Sequence, residues 1–366
     1  MTVTTSMGSE ETDMPATTSA FDAFPVAATI RPMEAKLVDT LPVEEEWQFE
    51  PKWDGFRCLA FKTGKDVALH AKSGKPLHRY FPEMADLVAG LDADAFVLDG
   101  ELEIPQGNTL SYDALPMRLH PAETRIRRLA AETPAVLIVF DLLRGPGGAN
   151  LLAEPLRVRR GALEAFVSAN PHPRLRLSPV TRDRSEACGW LERTGAAIDG
   201  VIAKQLDRAY ECGERAMLKV KRIRTADCVV GGFRYLEKKP LVGSLLLGLF
   251  DEAGLLHHVG FTSMISNAER EDLTRRLEAL AGGEGFTGRA PGGPSRWSTE
   301  RSTEWTPLRH ELVVEVAYDQ VTGDRLRHGS RLERWRPDKA PAQCTFEQIA
   351  PPATVDPLLA AVTQGV

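Results

Sequence analysis

Residues 50–57 read Glu50-Pro51-Lys52-Trp53-Asp54-Gly55-Phe56-Arg57 and set a lysine among polar neighbours inside an otherwise strand-like run. Trp47, Phe49, Trp53, Phe56 and the run Cys58-Leu59-Ala60-Phe61 favour extended chain on both sides, with Asp54-Gly55 interrupting it. Residues two apart on extended chain share a face, so Glu50, Lys52 and Asp54 project together. An exposed lysine, with a pKa of about 10.4, is protonated at neutral pH. It becomes a nucleophile only where burial or a nearby cation favours the free amine. A neighbouring carboxylate pulls the other way. On these residues alone, a surface cluster of charges at a strand end accounts for the octet as well as a reactive lysine does.

Outward from the octet the chain alternates short strands and helices. Asp66 to His70 is an alternating strand, Ala71 to Lys75 a turn, and Arg79-Tyr80-Phe81-Pro82-Glu83 opens a short helix with proline in its first turn. Phe96 to Glu103 is an apolar strand that runs into the carboxylates Glu101 and Glu103, and Ala135 to Leu143 is a continuous apolar run, hence a buried central strand. By composition Phe140 belongs to the core. Pro155 to Ala169 reads as an amphipathic helix with Leu156, Leu163, Phe166 and Val167 as its buried stripe, and Ser185 to Thr194 as a shorter helix closed by Gly195. Ile198-Asp199-Gly200-Val201-Ile202-Ala203-Lys204 carries an acid and a lysine on one strand. Met217-Leu218-Lys219-Val220-Lys221 puts two lysines on one strand face. Gly145 to Gly148 has no following helix pattern and is a loop, not a phosphate cradle; no Walker-type or convincing dinucleotide signature occurs.

After Arg224 the character changes to short apolar strands at 227–233, 243–250, 255–260 and 311–316. One helix is marked between them, with Ser266-Asn267-Ala268-Glu269 as a capping box, a stripe of Leu273, Leu277 and Leu280, and Gly282-Gly283 as its stop. Strands with one inserted helix suit an OB-type barrel. Gly282 to Pro294 reads as a flexible loop, and Arg334-Trp335-Arg336-Pro337-Asp338-Lys339 as a basic terminal segment.

The 366 residues suffice for two domains, and a 43% apolar fraction is that of an ordinary soluble protein. No apolar run nears the roughly 20 residues that span a bilayer, and the N-terminus lacks the basic start and apolar core of a signal peptide. The expected location is therefore the cytoplasm, with no membrane partner. Five scattered cysteines without a Cys-x-x-Cys disfavour a zinc site or a disulfide framework. The net charge of −6 is unevenly placed: residues 1–50 hold ten acidic and two basic side chains, which leaves 43 basic against 41 acidic in the rest. Basic clusters at Arg118 to Arg128, Lys204 to Arg224 and Arg325 to Lys339 are solvated faces or phosphate-contacting patches.

Lys52-x-Asp54-Gly55-x-Arg57 resembles the nucleotidyl-lysine motif of the covalent nucleotidyltransferases, the DNA ligases, RNA ligases and capping enzymes. Companions follow in the family's order: Lys72-Ser73-Gly74 with Phe81-Pro82-Glu83, Leu98-Asp99-Gly100-Glu101-Leu102, Phe140-Asp141-Leu142, Asp199-Gly200-x-x-x-Lys204, Lys219-x-Lys221, and Arg336-x-Asp338-Lys339. The resemblance covers about four-fifths of the chain and is strongest to the short bacterial ATP-dependent DNA ligases of the actinobacterial ligase C type. It implies an α+β fold, with an ATP-grasp-like nucleotidyltransferase domain followed by an all-β OB domain. The expected division is a disordered acidic tail at 1–25, the nucleotidyltransferase domain at 26–224, the OB domain at 225–350 and a C-terminal tail at 351–366.

The resemblance also implies roles. Lys52 attacks the α-phosphorus of ATP, AMP passes from it to a DNA 5′-phosphate, and a 3′-hydroxyl displaces AMP to seal the nick. Glu50 reads the adenine edge, Phe140 stacks on the base, Lys204 faces it, and Arg57 holds the ribose. Lys219 and Lys221 grip the α-phosphate, while Glu101 and Asp199 hold Mg²⁺, or Mn²⁺ in its place. Arg336 and Lys339 orient the departing pyrophosphate. Two positions depart from the family: Lys72 replaces an arginine and loses its bidentate fork, and Asp199 replaces a glutamate and has a shorter reach. The implied partner is nicked double-stranded DNA bound by a monomer associated with the nucleoid, with repair polymerases or primases by analogy. The rival readings are an RNA ligase, a GTP-using capping-type enzyme, and a non-catalytic OB nucleic-acid-binding protein.

Overall fold

Two β-sheets meet at the lysine motif. In the computed structural model, which describes residues 30–107, 109–192, 198–292, 304–327, 329–350 and 357–363, Trp53 ends a strand of one sheet and Phe56 begins a strand of the other. The smaller sheet runs in the order Ala35–Leu37, Met217–Val220, Ile198–Gln205, Trp47–Trp53. The larger runs Asp66–Ala71, Phe56–Thr63, Ala95–Glu103, Val136–Arg144, Leu175–Leu177. Asp54-Gly55 is thus the crossing between sheets. A Cβ at Gly55 would lie 2.2 Å from the Leu102 carbonyl oxygen and 2.7 Å from the Glu103 carboxyl carbon, so only glycine lets the chain pass.

The Val136–Arg144 strand is buried on both faces, and its alternation divides the core. Val136, Ile138 and Phe140 pack with Trp53 and Trp190, whereas Leu137, Val139 and Leu142 pack with Phe96 and Phe166. The helix expected from Pro155 spans Leu156–Ala169 and buries Leu156, Leu163 and Phe166 as read, with Val167 partly buried. It also buries Arg159 and Arg160, which the apolar stripe does not predict.

The second half is an antiparallel barrel-like sheet in the order Leu256–Thr262, Lys239–Phe250, Arg224–Leu236, Val313–Tyr318, Arg331–Trp335. The chain is therefore α+β, a first part of two sheets with helices followed by a mainly β part with one inserted helix. The inserted helix, Arg270–Glu278, starts later than the expected capping box, and its first turn has no side-chain cap. The Glu269 amide instead donates to the Ser266 carbonyl at 3.1 Å, a backbone turn that takes the place of the hydroxyl cap.

Residues 357–363, read from sequence as part of a tail, form a helix whose Leu358, Leu359 and Val362 are buried with Phe49, Trp53 and Trp190. After the barrel the chain returns to the core behind the lysine strand. The acidic stretch at 1–25, Gly195 and the end of the loop to Pro294 lie outside the described residues.

Candidate active site

The cleft between the sheets has a volume of about 270 Å³ and is lined by Glu50, Lys52, Arg57, Lys72, Glu101, Phe140, Lys204 and Lys219. Strand alternation places Glu50 and Lys52 on the same wall. Asp54, expected beside them, turns instead to an ion pair with Arg327 of the second half.

At the floor, the Lys52 ammonium lies 2.5 Å from Asp199 Oδ2, and the same oxygen lies 2.9 Å from Lys221 Nζ. The Asp199 side chain is only 3% exposed, and its Oδ1 is a buried oxygen with no hydrogen-bond partner. Asp199 can sit at this crossing because Gly200 adopts φ +154°, where a Cβ would meet the Val220 carbonyl oxygen at 2.1 Å. Lys221 also reaches Asp319 of the second half, at 3.2 Å. Burial pulls Lys221 down, but Asp199 and Asp319 outweigh it and its pKa is raised. Lys219 goes the other way, lowered by burial and then by the cations Lys52, Lys221 and Lys72.

At the opposite end, Glu50 Oε2 lies 2.8 Å from Lys204 Nζ, both side chains being under 5% exposed. Gln48 donates to the other Glu50 oxygen at 2.9 Å, so each oxygen of the buried carboxylate has one partner. Lys204 Nζ lies 4.8 Å from the centre of the Phe140 ring, and the Arg57 guanidinium 4.6 Å from it. Phe140 is thus a core residue, 8% exposed, and a cleft wall at once.

Sequence reading passed over Asp99 and Tyr210. Arg57 donates twice to the Asp99 carboxylate at 2.6 Å, and the Tyr210 hydroxyl donates to it at 2.6 Å. Asp99 holds Arg57 charged against its burial and fixes the guanidinium beside Phe140. The signal was present, because Asp99 and Glu101 are two apart on one strand and share the face that meets Arg57. Among the described residues Lys72 pairs with Glu34, at 3.0 Å.

Arg336 and Lys339 stand apart from the cleft. They pair with Asp227 on the Arg224–Leu236 strand, at 2.9 and 2.7 Å, and Arg336 also pairs with Asp338.

Residues 30–221, the stretch that contains the cleft, match a family model described as the ATP dependent DNA ligase domain, and residues 238–339 match the ATP dependent DNA ligase C terminal region. The chain belongs to the ATP-dependent DNA ligase family. It is 43% identical to DNA ligase C1 of Mycolicibacterium smegmatis, over 91% of this chain and 97% of that one. It is 39% identical to DNA ligase C of Mycobacterium tuberculosis, over 90% of this chain and 96% of that one. A solved Lig E DNA ligase structure shares the ligase fold with a TM-score of 0.50, at 16% identity over 83% of this chain and 99% of that one.

Among the described residues no three His, Cys, Asp or Glu side chains converge into a metal cage. The ligase cleft nevertheless fits a hard divalent cation. Glu101 lines it, and the unpartnered Asp199 Oδ1 is an oxygen donor beside it. Mg²⁺ needs only one or two carboxylates when substrate phosphates and water complete its shell.

Burial pushes the Glu101 carboxyl up to about 7, against the pull of Arg57 and Lys52. A carboxyl raised in the fold binds its proton more tightly there. Its favourable contribution is therefore complete below the unfolded value near 4.5 and lost as pH rises through about 7. Glu101→Gln should accordingly melt a few degrees higher than the wild type at pH 8 and by a clearly smaller margin at pH 5, the margin closing only below about 4.5, while AMP uptake falls at least about tenfold. An equal melting difference at both pH values would show that Glu101 carries no burial penalty.

Proposed function

We propose that this ligase seals 3′-hydroxyl/5′-phosphate nicks in double-stranded DNA with ATP, in DNA repair. The observation that carries the proposal is the floor of the cleft, where Lys52 and Lys221 share one Asp199 oxygen beside Lys219. Lys52 gives up protons to water by way of Asp199 Oδ2, 2.5 Å away, and its Nζ forms a bond to the α-phosphorus as the α–β phosphoanhydride breaks, giving a lysyl-AMP phosphoramidate and pyrophosphate. The AMP then moves to the DNA 5′-phosphate, and the 3′-hydroxyl displaces it. Each step accumulates negative charge on phosphate oxygens, so positioning and cations do the catalytic work. Lys219 and Lys221 supply that charge. Mg²⁺, held by Glu101 and Asp199 with Mn²⁺ as an alternative, would neutralise phosphate oxygens.

Glu50, Lys204, Phe140 and Arg57 form the base and ribose end. In the cleft as it stands Glu50 is bound by Lys204 and Gln48, so an adenine amino group would be read by lone pairs that those donors leave open. The division we propose is a nucleotidyltransferase domain at 26–224 and an OB domain at 225–350. A DNA-repair role is supported by a Mycobacterium bovis relative named multifunctional non-homologous end joining protein LigD, 29% identical over 82% of this chain and 38% of that one, and the location we propose is the cytoplasm, on the nucleoid. Repair polymerases or primases are the proposed partners of a monomeric enzyme.

The test is intact mass after incubation with ATP and Mg²⁺, using protein first stripped of nucleotide with pyrophosphate. One added AMP, discharged by nicked DNA with sealing of the strand, is the expected result. No added AMP with ATP, or uptake from GTP alone, overturns the assignment.

A further inference from the structure

The last motif is expected to be a solvated terminal segment, yet it is anchored on the barrel. The Arg336 amide donates to the Val313 carbonyl at 2.9 Å, and the Lys339 amide to the Arg336 carbonyl at 3.2 Å, which closes a turn that brings both side chains to one side. There the Asp227 carboxylate bridges them, with Oδ1 2.9 Å from Arg336 Nη1 and Oδ2 2.7 Å from Lys339 Nζ. Asp227 is itself held. Its amide donates to Gln348 Oε1 at 2.9 Å and its carbonyl accepts from Gln348 Nε2 at 3.0 Å. Its side chain is 11% exposed, so the pairing is partly shielded from water and geometrically defined. Asp338 takes the remaining edge of Arg336, through Nε at 3.0 Å and Nη2 at 2.8 Å.

Two cations three residues apart repel each other, and each of these long side chains loses rotamer freedom when it is held still. A carboxylate placed between them removes both costs before any phosphate arrives. Neither cation lines the cleft, so they must act as a unit delivered by the barrel or not at all.

We infer that Asp227 is a positioning residue for the adenylation step, one that holds Arg336 and Lys339 as a matched pair for the leaving pyrophosphate. This rests on the proposed function, in which those two cations meet the triphosphate. Charge and position make opposite predictions. Asp227→Asn raises the local positive charge, so if attraction alone mattered, ATP would bind more tightly and react at least as fast. If positioning matters, the freed cations lose the rate and keep the attraction.

The experiment is single-turnover AMP uptake by full-length Asp227→Asn and Asp227→Glu across a range of ATP concentrations, with Arg336→Ala as reference. The same proteins are then given a nick that already carries AMP on its 5′-phosphate, a step with no pyrophosphate to orient. Expected for Asp227→Asn is a fall of tenfold or more in the limiting rate of AMP uptake, no rise in the ATP concentration at half-maximum, and closure of the pre-adenylated nick within twofold of wild type. Asp227→Glu, which keeps the charge, should recover most of the rate. An unchanged or faster uptake rate overturns the inference, and so does an equal loss in both steps, which marks Asp227 as merely structural. If Arg336→Ala also leaves uptake unchanged, the role given to the motif fails together with it.

Discussion

Lys52→Arg should leave a folded protein that takes up no measurable AMP, a loss on the order of a thousandfold or more in the rate of enzyme-AMP formation. The substitution keeps a cation opposite Asp199, whose Oδ2 lies 2.5 Å from the lysine nitrogen, so the floor of the cleft stays neutralised. It removes the only thing a nucleophile needs, because a guanidinium does not give up its proton and has no free lone pair in a protein. Lys52→Ala is a poorer probe, since it also leaves Asp199 with Lys221 alone. Intact mass after exposure to ATP, with a melting curve on the same sample, checks the claim. If Lys52→Arg still gains AMP, the nucleophile is another amine. Lys219 is then the one to test, because burial and three neighbouring cations push it toward the neutral form.

The largest expected effect on stability lies behind the cleft. Arg159→Met should cost about 3–5 kcal/mol, because it strands the Asp141 carboxylate in the core without its counter-charge. The pair is 1% exposed on each side, with Arg159 Nε 2.8 Å from Oδ1 and Nη2 3.0 Å from Oδ2. Arg159 Nη1 also satisfies the carbonyls of Glu154 and Arg208. One side chain therefore ties the Leu156–Ala169 helix to the strand that carries Phe140. For a chain of this size the loss corresponds to a fall in melting temperature of roughly five degrees. The double variant Arg159→Met, Asp141→Asn should recover a large part of it, since the uncompensated charge is gone. A single-variant loss under about 1 kcal/mol would mean that water reaches the pair and that the burial has no energetic consequence.

The two results bear on what can be read without coordinates. Strand alternation around Lys52, the continuous apolar run at 135–143 and the strand that carries Lys219 follow from local periodicity and correspond to strands that border the cleft, whereas Lys221, expected on the same strand, lies just past its end at Val220. Local signals failed where another contact won. The hydroxyl cap expected at Ser266 was displaced by a backbone turn, and the apparent tail at 351–366 contains a helix held by an apolar surface that the chain reaches only after folding. Arg159 and Arg160 fall outside the apolar stripe read from sequence, and the Asp141 carboxylate and Ser178 carbonyl that draw them inward each lie 18 residues away.

By itself, then, the sequence determined which residues are on offer for the chemistry we propose and in what order they occur, because a lysine, carboxylates and phosphate-seeking cations are properties of side-chain type and near spacing. Only the tertiary structure decided how they are partnered. Asp199 lies between Lys52 and Lys221, Asp99 holds Arg57, Glu50 is spent on Lys204, and Asp227 holds Arg336 and Lys339 outside the cleft. Each of these pairs joins strands or domains far apart in the chain. Their energies depend on burial and on distances of about 3 Å, and no local pattern of residues encodes either.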